Sequence, residues 1–557
     1  MNVTLLAINA KYVHSSLAVW YLTNGVEKYA QKPHTIKVVE ATINQKMDDI
    51  VAQVVAQKPD LLGISTYIWN IGMLPELLEA ICRQLPGVKI VLGGPEASCN
   101  AEYWVKNGAD YVLRGEGERS FPSLLDALSE NDREGLRRIS GLCFSEKADF
   151  FENTEGKSCD GAKDGEYVSP YSEAYFQALS GRIAYMETSR GCPFSCAYCL
   201  SGSSTSGFPS GVRFFPMEEV KAQIDKLSQS GTRTIKFVDR TFNCHAERAY
   251  DIMEYIIGLE TDCCFHFEVA GDLFDERTLA LLQAAPLGRI QLEIGIQSFH
   301  IPTLEAVSRK TNLEKIEKDC QKLLSGKNIH VHVDLIAGLP FETLSVFQNS
   351  FDRAYAMGAH TLQLGFLKLI HGSRLREQAK EWGILYEKTP PYEIISNAWL
   401  SEKELDVIRC VENAIQHTYN KGRFLSVLRY AMAASGCGAM RFFQGLGEKV
   451  KNQAMPLEKY AEEIFHYCAD FEKVDKNKLM DAMICDLLGM TKGKCMPPFL
   501  KKSGKLRKQV VLIADKQLGR RIDFDEAAVL STGKGVYADS TIQDPVTGLY
   551  RLCFPNE

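Results

Sequence analysis

No apolar run in this 557-residue chain approaches the ~18 residues that a helix needs to cross a bilayer. That absence argues against a membrane partner. Neither sign of charge dominates: 64 Lys and Arg against 70 Asp and Glu leave a net charge of −6, which excludes wholesale binding along a phosphate backbone and does not favour nucleic acid. The opening stretch Met1–Ser16 has no basic segment ahead of an apolar one, so it reads as a strand and not as a secretory signal. Internal repeats and low-complexity tracts are lacking too. What is present is ordinary for packed cores: 45% hydrophobic and 24% charged residues rule out a disordered or fibrous chain. A cytoplasmic protein of roughly three to four domains is expected.

The seventeen cysteines are mostly scattered, and a reducing compartment favours reading them as small buried side chains. Cys192, Cys196 and Cys199 stand apart, within eight residues. A closed zinc site needs four ligands, usually as two short-spaced pairs, and the next cysteine is Cys244. Three thiolates on one loop can instead each hold one iron of a 4Fe–4S cube, leaving the fourth iron open. Structural zinc and plain core cysteines are the bland alternatives.

Short apolar runs at Val3–Ile8, Ile36–Val39, Leu61–Ile64, Val88–Leu92 and Tyr111–Leu113 alternate with helical patterns such as Met47–Gln57 and Leu74–Leu85. Such runs signal parallel strands covered on both faces. Residues 1–130 therefore predict a doubly wound, flavodoxin-like domain with a ligand crevice at the strands' carboxyl ends. Residues 131–180 read as a connector with a small hairpin near Gly141–Phe144. A second series of six strands begins at Ile183–Glu187 and continues at Thr234–Val238, Cys264–Glu268, Ile290–Glu293, His330–Asp334 and Thr361–Leu364. Residues 181–384 thus suit a partial (βα)6 barrel, with its site on the carboxyl rim. Residues 385–557 read as mostly helical, with helices over Leu457–Tyr467 and Lys476–Leu488 and one strand at Val510–Ala514.

The loop Ser189-Arg-Gly-Cys192-Pro-Phe-Ser-Cys196-Ala-Tyr198-Cys199, placed after a first barrel strand, resembles the radical S-adenosylmethionine (SAM) superfamily. The resemblance implies a 4Fe–4S cluster held by Cys192, Cys196 and Cys199. SAM would chelate the open iron and be cleaved by one electron to methionine and a 5′-deoxyadenosyl radical. Further matching segments are FHFEVAGDLF with Glu268, QLEIGIQSF with Glu293, Gln297 and Ser298, VSRKTN with Arg309, and HVDLIAGLPFET with Asp334 and Gly338. By resemblance, Gln297 and Asp334 meet the ribose, Arg309 pairs with the methionine carboxylate, and Glu268 or Glu293 accepts from the ammonium or ribose. Asp239, in IKFVDRTFN, stands where the family has a Gly-Gly-Glu-like motif, though the glycines are missing. A carboxylate at a strand end also serves as an ordinary helix cap.

A flavodoxin-like domain ahead of such a barrel resembles the cobalamin-binding branch of that superfamily. Ser65 and Thr66, Gly93 and Gly94, and Gly115 and Glu116 are the matching strand-end residues, small enough to let a broad ligand approach the backbone. The Asp-x-His-x-x-Gly motif is absent: Asn9–Leu17 keeps His14 but has Tyr12 and Leu17 in place of the Asp and Gly. His14 is accordingly read as a loop residue, not a cobalt ligand. The lower cobalt face is left empty, bound to water, or covered by Tyr67 or Trp69.

The resemblance implies methylation of an unactivated carbon in a metabolite or natural product, with no obligatory acid–base residue. A one-electron donor such as flavodoxin or ferredoxin would be the partner. Ring cyclisation or rearrangement uses the same cofactors. The basic run at residues 492–508, with seven Lys and Arg and no acid, keeps tRNA modification as an alternative. A redox sensor or cobalamin photoreceptor is the non-enzymatic alternative, but it has no use for Gln297, Arg309 and Asp334.

Overall fold

The computed structural model describes residues 1–146, 149–153, 167–200, 211–450, 455–501 and 504–555. They form two compact units, each assembled from separated stretches of chain. The first comprises Met1–Leu273, Glu305–Lys310 and Leu367–Asn397. The second comprises Phe274–Leu304, Thr311–Phe366 and Ala398–Glu557.

The first unit opens with strands β1 (Asn2–Asn9), β2 (Thr35–Thr42), β3 (Leu61–Ser65), β4 (Lys89–Gly93) and β5 (Tyr111–Leu113). They lie parallel in the order β2-β1-β3-β4-β5, the flavodoxin-like arrangement. β1 is buried almost throughout because helices cover both faces of the sheet. On one face Leu6, Ile64 and Leu92 meet Ile50, Val54, Leu74 and Leu77 of the helices Met47–Gln57 and Leu74–Gln84. The connector contributes more than a small hairpin: β6 (Leu142–Glu146), antiparallel to β5, and β7 (Asp149–Glu152), antiparallel to β6, extend the sheet to seven strands. Buried Leu142 and Cys143 draw it in.

The second series continues in the first unit with β8 (Ala184–Met186), β9 (Ser189–Arg190), β10 (Arg213–Phe214), β11 (Thr234–Phe237) and β12 (Cys264–Val269). β11 pairs in parallel with both β8 and β12. In the second unit β13 (Ile290–Gln297), β14 (His330–Ala337) and β15 (Thr361–Phe366) are parallel neighbours. All six expected βα strands are thus present, three in each unit. In β13 the alternation is complete: Ile290, Leu292, Ile294 and Ile296 are buried, while Gln291, Glu293, Gly295 and Gln297 are half-buried on the other face.

From Ala398 onward the chain is mainly helical, as expected, with helices including Leu457–Ala469 and Lys476–Thr491. Val510–Ala514 is not a strand; it lies inside the helix Gly504–Leu518. Val510 and Ala514 are buried four residues apart whereas Leu512 and Ile513 are exposed, and so short an apolar run hides that period. A three-stranded antiparallel sheet of Ala527–Val529, Gly535–Gln543 and Tyr550–Cys553 packs on this helix, a feature the sequence reading missed. The basic run falls partly outside the described residues, at 502–503. Among the described residues no helix is long and apolar enough to cross a membrane.

One ion pair inside the first unit anchors the second series to the sheet. Arg182, just before β8, donates to both carboxylate oxygens of Glu40 on β2, at 2.7 and 3.1 Å. It also donates to the His14 carbonyl at 3.2 Å. Both side chains are about nine-tenths buried. Removing one partner of such a pair strands the other charge. Arg182→Ala should therefore lower unfolding free energy by about 3–5 kcal/mol in denaturant titration. A loss under about 1 kcal/mol would mean that the pair is solvated.

Candidate functional site

In the first unit, β9 pairs antiparallel with β10 and delivers the chain to the cysteine loop. Gly191 has φ +98°, and any Cβ there would overlap the Gly211 carbonyl, so the entry demands glycine. Backbone bonds then fix the loop: Cys199 N–H donates to Cys196 O at 3.1 Å, Ala197 N–H to Val307 O at 2.9 Å, and Leu375 N–H to Ala197 O at 2.8 Å. Arg374 donates to Ser195 O at 3.2 Å and to Ser308 Oγ at 2.7 Å. Cys196 is buried; Cys192 and Cys199 are half-buried. Three thiols on one short loop are the donor set that a 4Fe–4S cube takes, one iron each.

Arg309 lies over this loop, its Nη1 3.4 Å from Tyr198 Oη and 3.9 Å from Cys196 Sγ. Burial alone would lower its pKa, but Tyr198 and Cys196 outweigh burial and raise it. Burial pushes the Tyr198 phenol up. Asp239 has other work than expected. It is buried, and its carboxylate accepts from Thr188 N–H at 3.0 Å, Thr188 Oγ at 2.7 Å and Ser189 Oγ at 2.5 Å. It braces the turn into the loop and has no surface left for a ligand. Glu268 lies 3.5 Å from Lys236 across β11 and β12.

At the carboxyl rim of the flavodoxin-like sheet, Thr66 is also enclosed. Its Oγ donates to Gly93 O at 2.8 Å and accepts from Ala97 N–H at 2.9 Å, so it shapes the turn and does not reach a ligand. Gly94 has φ +93°, and a Cβ there would sit 2.5 Å from the Thr66 carbonyl oxygen. At Gly93 a Cβ would make only an ordinary contact, its nearest atom the Leu113 carbonyl oxygen at 3.8 Å. The buried hydroxyls of Ser65 and Ser98 have no hydrogen-bond partner among the described residues. Orphaned donors at a strand-end rim fit a polar ligand. Gly115 is left-handed at φ +80°, and Glu116 pairs with Arg213 and, at 3.2 Å, with Arg190. Tyr67 and Trp69 stack with ring centroids 4.4 Å apart.

His14 is tied to the barrel's first strand. Its Nδ1 lies 2.7 Å from Tyr185 Oη, and Ile183 N–H donates to Val13 O at 2.9 Å. Burial first, then Lys11 and Lys236, lower its pKa. This is a loop residue held in place, in keeping with the missing aspartate and glycine.

In the second unit, Glu293 of β13 and His332 and Asp334 of β14 bring their ligand atoms within 4.8 Å of one another. His332 Nε2 is 2.8 Å from Asp334 Oδ1, and its Nδ1 is 4.0 Å from Glu293 Oε2. The sequence reading missed His332, although its place two residues before Asp334 puts it on the same strand face. Gln297 is left-handed at φ +73° and Gly338 at φ +93°. Ser298 is fully buried and donates to Glu342 at 2.6 Å, so it too is internal. Arg190 was the other omission, though it abuts the cysteine motif.

Residues 3–125 match the B12 binding domain, 186–354 the radical SAM superfamily, and 380–529 a protein family of unknown function, DUF4080. The chain is 24% identical over 447 residues to the cobalamin-dependent radical SAM methyltransferase TokK of Streptomyces tokunonensis, covering 73% of this chain and 63% of that one. It thus spans less than two thirds of that relative's length. Its fold is similar to the cobalamin-dependent SAM radical enzyme OxsB (TM-score 0.61, 13% identity, 87% of this chain and 78% of that). It is also similar to the radical SAM methyltransferase TsrM from Kitasatospora setae, solved with cobalamin and a [4Fe-4S] cluster (TM-score 0.56, 17% identity, 70% and 79%). Both modules of a cobalamin-binding radical SAM family are present in one chain, and its cofactors are a 4Fe–4S cluster, SAM and cobalamin.

Asp239 generates a pH test. Burial, offset by the three donors, pushes its carboxyl up to about 6. The folded state then keeps a proton that the unfolded chain has released, so the stability this group contributes falls as pH rises from about 4 to about 6 and is flat above. Asp239→Asn, which cannot titrate, should gain on the native protein across that window in unfolding free energy. A difference independent of pH would show that Asp239 ionises normally.

Proposed function

We propose that this cobalamin-binding radical SAM protein is a methyltransferase acting on an unactivated carbon of a small-molecule or natural-product substrate. One observation carries the reading: a single compact unit holds both the three-cysteine loop and the sheet rim with its orphaned hydroxyls. When bound, the cofactors supply one-electron cleavage of SAM, removal of a substrate hydrogen and delivery of a methyl group. The relative TokK, named as a methyltransferase, supports transfer over rearrangement.

The chain's own residues hold and orient. Cys192, Cys196 and Cys199 are the iron ligands. Arg309, a half-buried guanidinium beside that loop, pairs with the methionine carboxylate, with Tyr198 packed against it. Gln297 and Asp334 take the ribose hydroxyls, Glu293 the ammonium, and Gly338 keeps the backbone open. Glu268, already facing Lys236, is the lesser candidate for the ammonium. At the rim, Ser65, Gly93, Gly94 and Gly115 cradle cobalamin, and Glu116 borders it. By function, residues 1–130 serve cobalamin, 131–180 connect, 181–384 serve the cluster and SAM, and 385–557 select the substrate. A flavodoxin- or ferredoxin-like protein delivers the electron.

Protein reconstituted anaerobically with iron, sulfide and hydroxocobalamin, then reduced, should convert SAM to 5′-deoxyadenosine and form methylcobalamin without added substrate. Absence of both products from cluster-loaded protein would sink the reading. The triple variant with Ala at Cys192, Cys196 and Cys199 should bind no cluster and cleave nothing. A full complement of four irons in that variant would remove the loop from its role.

Cobalamin binding has a sharper probe than Gly94, where any side chain strains the backbone. Gly93→Trp sets an indole on the rim beside Ser65 and should abolish cobalamin retention on gel filtration, whereas Gly93→Ala, whose Cβ makes only an ordinary contact, should keep both cobalamin and the unfolding midpoint. His14→Ala should retain cobalamin, with an unchanged Co(II) electron paramagnetic resonance spectrum. Loss of imidazole coupling in that spectrum would make His14 a ligand after all.

A further inference from the structure

Glu342 is fully buried, and it sits at the end of the turn that follows β14. Its Oε1 accepts from Ser298 Oγ at 2.6 Å and from Ser350 Oγ at 3.1 Å. Its Oε2 is buried without a hydrogen-bond partner among the described residues. Burial, offset by the two hydroxyls, pushes the carboxyl up to about 7. A buried acid without a cation costs free energy, and the geometry shows what it holds.

Both hydroxyls serve the turn after β13. Ser298 Oγ accepts from His300 N–H at 3.0 Å, and Ser350 Oγ accepts from Phe299 N–H at 3.1 Å. Immediately before them, Gln297 is left-handed, and the β13–β14 register slips between Gly295 and Gln297. A non-glycine residue in that conformation is uncommon and persists only when its surroundings over-determine it. The turn after β14 is bent in the same way, with Gly338 at φ +93° and Phe341 at φ +64°. A further bond, Thr303 Oγ to Pro340 O at 2.9 Å, joins the helix Ile301–Ala306, which follows the first turn, to the second turn. One carboxyl therefore clasps two bent turns, each carrying a residue assigned above to SAM.

We infer that Glu342 is a positioning residue for SAM: through Ser298 and Ser350 it locks Gln297 and the Gly338–Glu342 turn into the arrangement that meets the cofactor. The inference rests on the reading that SAM binds at these strand ends. Glu342 touches no cofactor itself. Its Oε1 needs only to accept, so a glutamine amide oxygen serves equally, whereas alanine releases both hydroxyls and with them the bend at Gln297.

The test measures radiolabelled SAM binding by equilibrium dialysis on reconstituted protein, with iron content and unfolding midpoint taken alongside. Glu342→Ala should weaken SAM binding by about tenfold at unchanged iron content, and Glu342→Gln should stay within about threefold of native. Gln297→Ala should weaken binding too, and the Glu342→Ala/Gln297→Ala pair should lose no more than the larger single loss, because one residue acts through the other. A merely structural Glu342 would give additive losses, which would overturn the inference. Native affinity in Glu342→Ala with lost affinity in Gln297→Ala would overturn it while leaving the SAM site in place. Native affinity in Gln297→Ala would remove that strand end from the SAM site and the inference with it. Should Glu342→Ala fail to fold, Ser298→Ala gives the same reading: weakened SAM binding at unchanged iron supports the clasp, and native affinity overturns it.

Discussion

A half-buried guanidinium set among three carboxylates governs the working end of the first unit. Arg190 pairs with Glu118 at 2.7 Å, Glu187 at 2.9 Å and Glu116 at 3.2 Å, and its plane lies 4.8 Å from the Tyr21 ring centroid. Burial alone would depress its pKa, yet the carboxylates outweigh burial and hold it well above the ordinary value. Burial likewise pushes Glu118 up, and Arg190 more than reverses the shift. Charges this enclosed are tolerable only together, so removing one would leave the rest unpaired. Glu116 and Glu118 follow β5 on the flavodoxin-like sheet, and Arg190 precedes Cys192 by two residues. The rim of the flavodoxin-like sheet and the cysteine loop thus share one electrostatic clasp.

Elsewhere the fold uses protonatable acids where a simpler protein would use amides. Asp239 gathers three donors ahead of the cysteine loop, and Asp486 takes the Ser426 and Val427 N–H groups at the start of the helix Leu425–Ser435. Burial lifts Asp486 to about 6 against those donors, as it lifts Glu342 to about 7. Each carboxyl organises a backbone turn by accepting several bonds at once. The cost of burying it is offset chiefly by these local donors.

Strands buried on both faces and a compact cysteine spacing were legible because each is written in a few adjacent residues. β1 and β3 are continuous apolar runs, and Cys192–Cys199 needs no distant partner to be noticed. What stayed hidden depends on residues far apart in the chain. Thr66 looks like a ligand contact until Gly93 and Ala97 claim its hydroxyl. Asp239 looks like one until Thr188 and Ser189 turn it inward. Arg190 gains its meaning from carboxylates some 70 residues upstream, and Ser298 from Glu342, 44 residues on. The Val510–Ala514 segment failed for the opposite reason: five apolar residues carry too little pattern to tell one period from another.

The discontinuity of the first unit has a consequence for biosynthesis. The cysteine loop is closed by Val307, Arg374 and Leu375, which leave the ribosome long after Cys199. At about 5–20 residues per second, the roughly 175 residues between Cys199 and Leu375 take on the order of 10–35 s to appear. Through that interval three thiols stand on an unclosed loop while the flavodoxin-like sheet behind them is already complete in sequence.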